Sequence, residues 1–210
     1  MPTSRFRDRA DAGEQLGEAL RERGIEADLV LAIPRGGLPL GRAVADALDA
    51  PLDIAVASKI GAPGNPEYAI GAVASDGTVW RNEGAIRGTR ADEEYFERER
   101  QAEMAVAREK AETYRAGRAE PELSGKTVVL VDDGVATGST VRACLAMLDA
   151  ADTERIILAV PVGPPDTIRE LRSVADEVVC LQEPSSFMGV GQFYERFDQV
   201  TDEEAMAYLS

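Results

Sequence analysis

Histidine is absent from these 210 residues, and its absence removes the commonest metal ligand together with the commonest catalytic base. Neither a Cys/His metal site nor a Ser–His or Cys–His nucleophilic pair can be assembled. Cysteine is scarce. Cys144 lies in a helical apolar pattern and Cys180 in a strand-like one, so both read as small buried hydrophobes in a reducing cytosol. No run of about 18 apolar residues occurs, and no membrane span is expected. The opening segment, MPTSRFRDRADAG, lacks the apolar stretch of a secretory signal. A cytoplasmic location is the expectation.

Positive charge is also in short supply. Lys59, Lys110 and Lys126 are the only lysines, every other basic residue is arginine, and 38 acids against 23 bases leave a net charge of −15. Such an excess repels nucleic acid and anionic membrane, so neither is expected as a partner. Acid-rich, lysine-poor chains resemble proteins of salt-loving microbes, whose surface carboxylates keep them hydrated. A polyanionic ligand would have to be met by local devices: backbone amides, a few basic side chains and Mg²⁺.

What is present is a regular alternation of periods. Residues 8–23 have helical spacing (Ala12, Leu16, Ala19, Leu20) and stop at Gly24. Leu29–Ile33 reads as a strand, Leu40–Leu48 as a helix and Asp53–Ser58 as a second strand. Ala69–Ala74 and Thr78–Arg81 flank Ser75-Asp76-Gly77, which is a hairpin signal. Ala91–Arg118 predicts one long exposed helix. Thr127–Val131 is a β-branched run of the kind buried on both faces, followed by a helix over Ser139–Ala150. Ile156–Val160, a helix near Asp166–Val174, Glu177–Leu181 and a short helix after Asp202 complete the series. The pattern predicts an α/β fold, a mostly parallel sheet flanked by helices, in a single domain over residues 1–210. Its core would run from about 25 to 181, with the N-terminal helix and residues 182–210 as additions.

Val128-Val129-Leu130-Val131-Asp132-Asp133-Gly134-Val135-Ala136-Thr137-Gly138-Ser139-Thr140 is the most informative stretch. A buried strand runs into two adjacent carboxylates, then a loop of small residues, then a helix. Unpaired amides and the helix dipole at that start favour an anion such as phosphate. It is not a Walker loop, since Gly-Lys-Ser/Thr does not occur. Phosphate alone leaves the two acids unexplained, because they repel it. A ribose 5-phosphate accounts for both halves: the loop takes the phosphate, and Asp132 and Asp133 accept from the 2′- and 3′-hydroxyls. Set against this, Asp133-Gly134 could serve as a plain turn and Ser139 or Thr140 as an ordinary helix cap.

The segment resembles the signature with which type I phosphoribosyltransferases bind 5-phosphoribosyl-1-pyrophosphate (PRPP). That resemblance implies a Rossmann-like core with a small hood and a flexible lid loop. It also implies that Ala136, Thr137, Gly138, Ser139 and Thr140 wrap the 5′-phosphate, and that Asp132 and Asp133 serve the diol and catalysis. Ile33-Pro34-Arg35-Gly36-Gly37 resembles the family's pyrophosphate loop, with Arg35, Gly36 and Gly37 as its contacts and a cis bond at Pro34–Arg35. Ser58–Tyr68, rich in Gly and Pro, resembles the closing loop. Lys59 in it matches a PRPP-contacting position, and Glu67 is its candidate acid/base, weighed against a plain exposed glutamate. The tail Ser186–Phe197 loosely resembles a hood that stacks a base, with Phe187 and Met188 as candidates; a satellite core is the equal alternative. Where 6-oxopurine members carry aspartate this chain has Ala136, which argues against a hypoxanthine or guanine substrate.

The reaction so implied moves 5-phosphoribose from PRPP to a nucleobase-like acceptor and releases pyrophosphate, with Mg²⁺ held mainly by PRPP and at most by Asp132 or Asp133 on the protein side. The partners are then small molecules, with a homodimer compatible. The alternative from another class is a non-catalytic regulator that senses PRPP or nucleotides with the same pocket.

Overall fold

A computed structural model of the chain describes residues 5–210; the leader expectation thus rests in part on residues outside the described ones. The first helix, α1 (Arg9–Glu22), is followed by β1 (Leu29–Ala32), α2 (Gly37–Leu48) and β2 (Leu52–Ile54). Next come β3 (Ala57–Ala62), β4 (Asn65–Ala74), β5 (Val79–Arg81), α3 (Glu83–Gly88) and α4 (Glu93–Arg115). The second half holds β6 (Thr127–Val131), α5 (Ser139–Ala150), β7 (Arg155–Val162), α6 (Pro165–Leu171), β8 (Glu177–Gln182) and α7 (Asp202–Ala207).

Five strands form a parallel sheet in the order β2-β1-β6-β7-β8. The pleat sends alternate residues to opposite faces, and both faces are buried. Leu29, Leu31, Val128, Leu130, Ile156 and Leu158 meet Val141, Cys144, Leu145 and Leu148 of α5 and Ile168 and Leu171 of α6. Val30, Val129, Val131, Ile157 and Ala159 meet Leu16 and Leu20 of α1 and Leu40 and Val44 of α2. This two-sided burial is why β6 reads as an unbroken apolar run. From β1 the chain builds outward in one direction to β2; from β6 it builds in the other to β8. The carboxyl ends of β1 and β6, paired through Ala32 and Val131, therefore form the crevice of a topological switch point, where α/β sheets bind ligands.

The predicted strand Asp53–Ser58 is divided. β2 belongs to the parallel sheet, and after Ala55 and Val56 the chain enters a separate antiparallel sheet, β3-β4-β5. Ser58–Tyr68, expected as an open loop, is largely paired strand: Lys59 opposes Ala72, Ile60 opposes Gly71, and the turn is confined to Pro63-Gly64. The Gly and Pro residues there mark a tight turn and a bulge, and Ile60 and Ala62 alternate inward. The helix expected over Ala91–Arg118 covers Glu93–Arg115, and it buries Phe96, Ala107, Ala111 and Tyr114 instead of standing free. Among the described residues no helix is long and apolar enough to cross a membrane.

Both additions to the core meet at one end of it. The amide of Phe6 donates to the Phe193 carbonyl at 2.8 Å, and that of Glu195 returns to the Phe6 carbonyl at 2.8 Å. The tail thereby lies against the segment leading into α1.

Candidate functional site

β6 ends at Val131, and the two carboxylates follow at the switch point. The Asp132 carboxylate accepts the amide of Asp133 at 2.9 Å. Beyond them Gly138 adopts φ 77°, a left-handed conformation suited to glycine, and caps α5 without a side chain. The first amides of α5 thus have no side-chain acceptor from the cap and face the loop. Asp132 and residues 134–141 line a cavity of about 170 Å³. The hydroxyls of Thr137 and Ser139 lie 3.3 Å apart in its wall, and Thr167 steadies the loop by donating to the Ala136 carbonyl at 3.0 Å.

The loop after β1 lies directly against the acids. The Pro34–Arg35 peptide bond is cis. A Cβ built on Gly36 would stand 2.0 Å from Asp133 Oδ2, and one on Gly37 would stand 2.9 Å from the Val131 carbonyl oxygen. Only glycine permits so close an approach of one backbone to the other's side chain. The Arg35 side chain ion-pairs at 3.7 Å with Asp202 of α7 and lines a groove with α4. Gly36, Gly37, Asp132, Asp133 and Ala136–Thr140 are therefore gathered at one place from β1, β6 and the start of α5, while the Arg35 side chain turns to α7.

Burial drives the electrostatics of the acid pair. Withdrawal from water raises the Asp132 carboxyl well above the ordinary aspartate range, and the Asp133 charge raises it further. Burial raises Asp133 as well, but the Arg9 guanidinium, 2.8 Å from Oδ2, pulls it back. Both carboxyls thus lie above the ordinary aspartate range, Asp132 the more strongly, because Arg9 offsets part of the burial effect at Asp133.

Other expected residues stand elsewhere. Lys59 Nζ pairs with Glu67 Oε2 at 2.9 Å across the β3–β4 hairpin, and Glu67 is almost fully exposed. Phe187 stacks on Phe193 with centroids 5.4 Å apart and packs against the core, whereas Met188 is 91% exposed. The tail aromatics Phe193 and Tyr194 point inward, in line with the satellite-core alternative.

Three residues escape a sequence reading. Lys110 of α4 donates to the Pro34 carbonyl at 3.2 Å and shares a groove with Arg35, Tyr114 and Asp202. Burial lowers its pKa, and the neighbouring Arg35 charge adds to this. Arg9 clamps Asp133 from α1, and the Tyr194 hydroxyl donates to the Asp133 carbonyl at 2.6 Å. A signal existed for Arg9: as the first residue of a helix it stands where the macrodipole disfavours a cation, so an acidic partner is called for.

The sequence profile described as the phosphoribosyl transferase domain matches residues 8–197. Two curated proteins of Mycobacterium tuberculosis, provisionally named phosphoribosyl transferases MT0597 (strain CDC 1551) and Rv0571c (strain H37Rv), are each 41% identical over 204 residues. Those alignments take in 97% of this chain but 46% of the relatives, so the chain spans about half the length of the curated proteins it matches. The crystal structure of TT1426 from Thermus thermophilus is similar at a TM-score of 0.84 and 44% identity, over 98% of this chain and 97% of that one.

Proposed function

Because this chain belongs to the phosphoribosyl transferase domain family, we propose that it is an Mg²⁺-dependent enzyme moving 5-phosphoribose from PRPP to a nucleobase-like acceptor. One observation carries the proposal: paired carboxylates and an uncapped helix start share the crevice at the switch point with the Pro34–Gly37 loop. Amides and the hydroxyls of Thr137, Ser139 and Thr140 suit the 5′-phosphate, and the acids suit the diol.

In the reaction the bond from C1 to the pyrophosphate oxygen breaks, and its electron pair leaves with pyrophosphate. The acceptor nitrogen bonds to C1 and gives up its proton. Positive charge grows on the sugar as the bond breaks, and the Asp133 carboxylate favours it from the diol side. Arg35 and Lys110 line one groove and would neutralise the departing oxygens. Lys59 adds a cation on the hairpin, and its partner Glu67 is the carboxylate offered for the acceptor's proton. Mg²⁺ fits this donor set only in part. No group of three or more acidic or thiol ligands gathers among the described residues, and Arg9 occupies Asp133 Oδ2. Asp132 would hold it while PRPP supplied the other oxygens, and once bound it would neutralise pyrophosphate charge. Orientation within the crevice has a ceiling of about 7–11 kcal/mol of barrier lowering.

The test is pyrophosphate release from PRPP and Mg²⁺ across a panel of nucleobases. Release with at least one base is expected. Asp133→Asn should cut turnover by about 100-fold or more, while Thr137→Ala weakens PRPP binding more modestly. PRPP uptake without release for any base would turn the assignment to a sensor, and no uptake by folded protein would end it.

A further inference from the structure

Arg9 has a position that only a specific task explains. It opens α1, where the helix dipole opposes a cation, yet its side chain is 13% exposed. The guanidinium is held along three directions. Nε donates to Asp133 Oδ2 at 2.8 Å, Nη1 donates to the Asp198 carbonyl at 2.6 Å, and its plane lies 3.9 Å over the Phe197 ring. Edge, end and face are all occupied, so the group has little freedom to turn. The same Oδ2 has the Gly36 backbone against it, at a distance where no Cβ fits, so a ligand has no access there. Tyr194 fixes the Asp133 main chain by its hydroxyl.

We propose that Arg9 is a positioning residue for Asp133, occupying one carboxylate oxygen so that the other is presented to a ribose hydroxyl, and thereby tying the diol subsite to the N-terminal helix and the tail. This rests on the phosphoribosyl reading of the acid pair. Asp133 then accepts through Oδ1 alone and does not chelate. The charged and titratable groups that face the pair include Arg9 from α1, Tyr194 from the tail, Lys110 from α4 and Cys144 from α5. Of these, Arg9 alone makes an ion pair with Asp133 among the described residues. Removing it frees the Asp133 carboxylate to turn, so that Oδ1 is no longer held toward the diol.

The experiment is calorimetry of the full chain at one pH with ribose 5-phosphate and 2-deoxyribose 5-phosphate, which share the phosphate and differ by one diol hydroxyl. Wild type, Arg9→Gln, Arg9→Lys and Phe197→Leu are compared. Wild type should bind the ribose form about tenfold more tightly. Arg9→Gln should erase most of that preference while binding the deoxy form as wild type does, and Arg9→Lys should restore most of it. An undiminished preference in folded Arg9→Gln overturns the proposal, as does an equal loss of affinity for both sugars. If Arg9→Gln does not fold, Phe197→Leu and Arg9→Lys decide: a reduced preference in either supports the role, and the wild-type preference in both defeats it. Wild type that binds neither sugar phosphate condemns the phosphoribosyl reading separately, since that result involves no Arg9 variant.

Discussion

Two carboxylates on adjacent residues, both largely withdrawn from water, repel each other and resist ionisation together, and a fold tolerates this where a ligand relieves it. Asp132 carries the larger share, with burial and the Asp133 charge both raising its pKa. For such a group the folded state holds the proton more tightly than the unfolded chain. The stability it contributes is complete below the ordinary aspartate value of about 3.8 and is lost as pH rises through the higher folded value. Asp132→Asn, neutral throughout, is therefore expected to raise Tm at pH 7 and to give little or no gain near pH 4, while impairing PRPP binding. Thermal melts at the two pH values check this, and an equal shift at both would remove the electrostatic account. Gly36 is constrained by space alone, since its φ of −62° suits any residue. Gly36→Ala forces atoms apart at the 2.0 Å contact with Asp133 and should cost about 1–3 kcal/mol, read by urea unfolding, with PRPP affinity falling alongside. The acids, the small-residue loop before α5 and the Arg-Gly-Gly turn were legible because each is a short contiguous pattern. Arg9 was not, because its partner lies 124 positions away.

At the scale of elements, the segment between β2 and α4 shows how composition can mislead. Ser58–Tyr68 is rich in Gly and Pro, which signals a loop; the structure uses those residues to tighten and bulge a hairpin whose strands continue through them. Phe96 of α4 holds this antiparallel sheet in place. It is buried among Ile60, Ile70 and Val73 and carries the Arg81 guanidinium 4.1 Å above its ring. Phe96→Ala should cost about 3–5 kcal/mol and speed amide exchange selectively in β3, β4 and β5. Exchange faster in β6 and β7 to the same degree would mean the sheet is not a separate unit. The long helix was foreseen in extent but not in burial, since its inward face holds two aromatics 18 positions apart with two small alanines between them, too little apolar bulk to mark a stripe.

For the molecule as a whole, a net charge of −15 makes self-repulsion a general term against the compact state. Raising KCl from about 0.05 M to about 1 M shortens the screening length to about 3 Å and should raise Tm; a flat or falling Tm would show that local pairs such as Arg115–Asp53 and Arg81–Glu93 already balance the excess. Strand and helix periods, two-sided burial of β6 and the order of acids, small residues and helix start were all written into neighbouring residues, so the parallel sheet and the junction of paired acids with a helix start followed from the chain read alone. Which side chains complete that junction was settled only by folding. Lys110 is brought to the Pro34 carbonyl, 76 positions away along the chain, Lys59 is paired with Glu67, and Phe197 and Tyr194 of the tail brace Arg9 and Asp133. Local periodicity encodes which face of an element is buried, but a contact between distant elements depends on how the sheet is ordered and twisted, and no spacing along the chain records that.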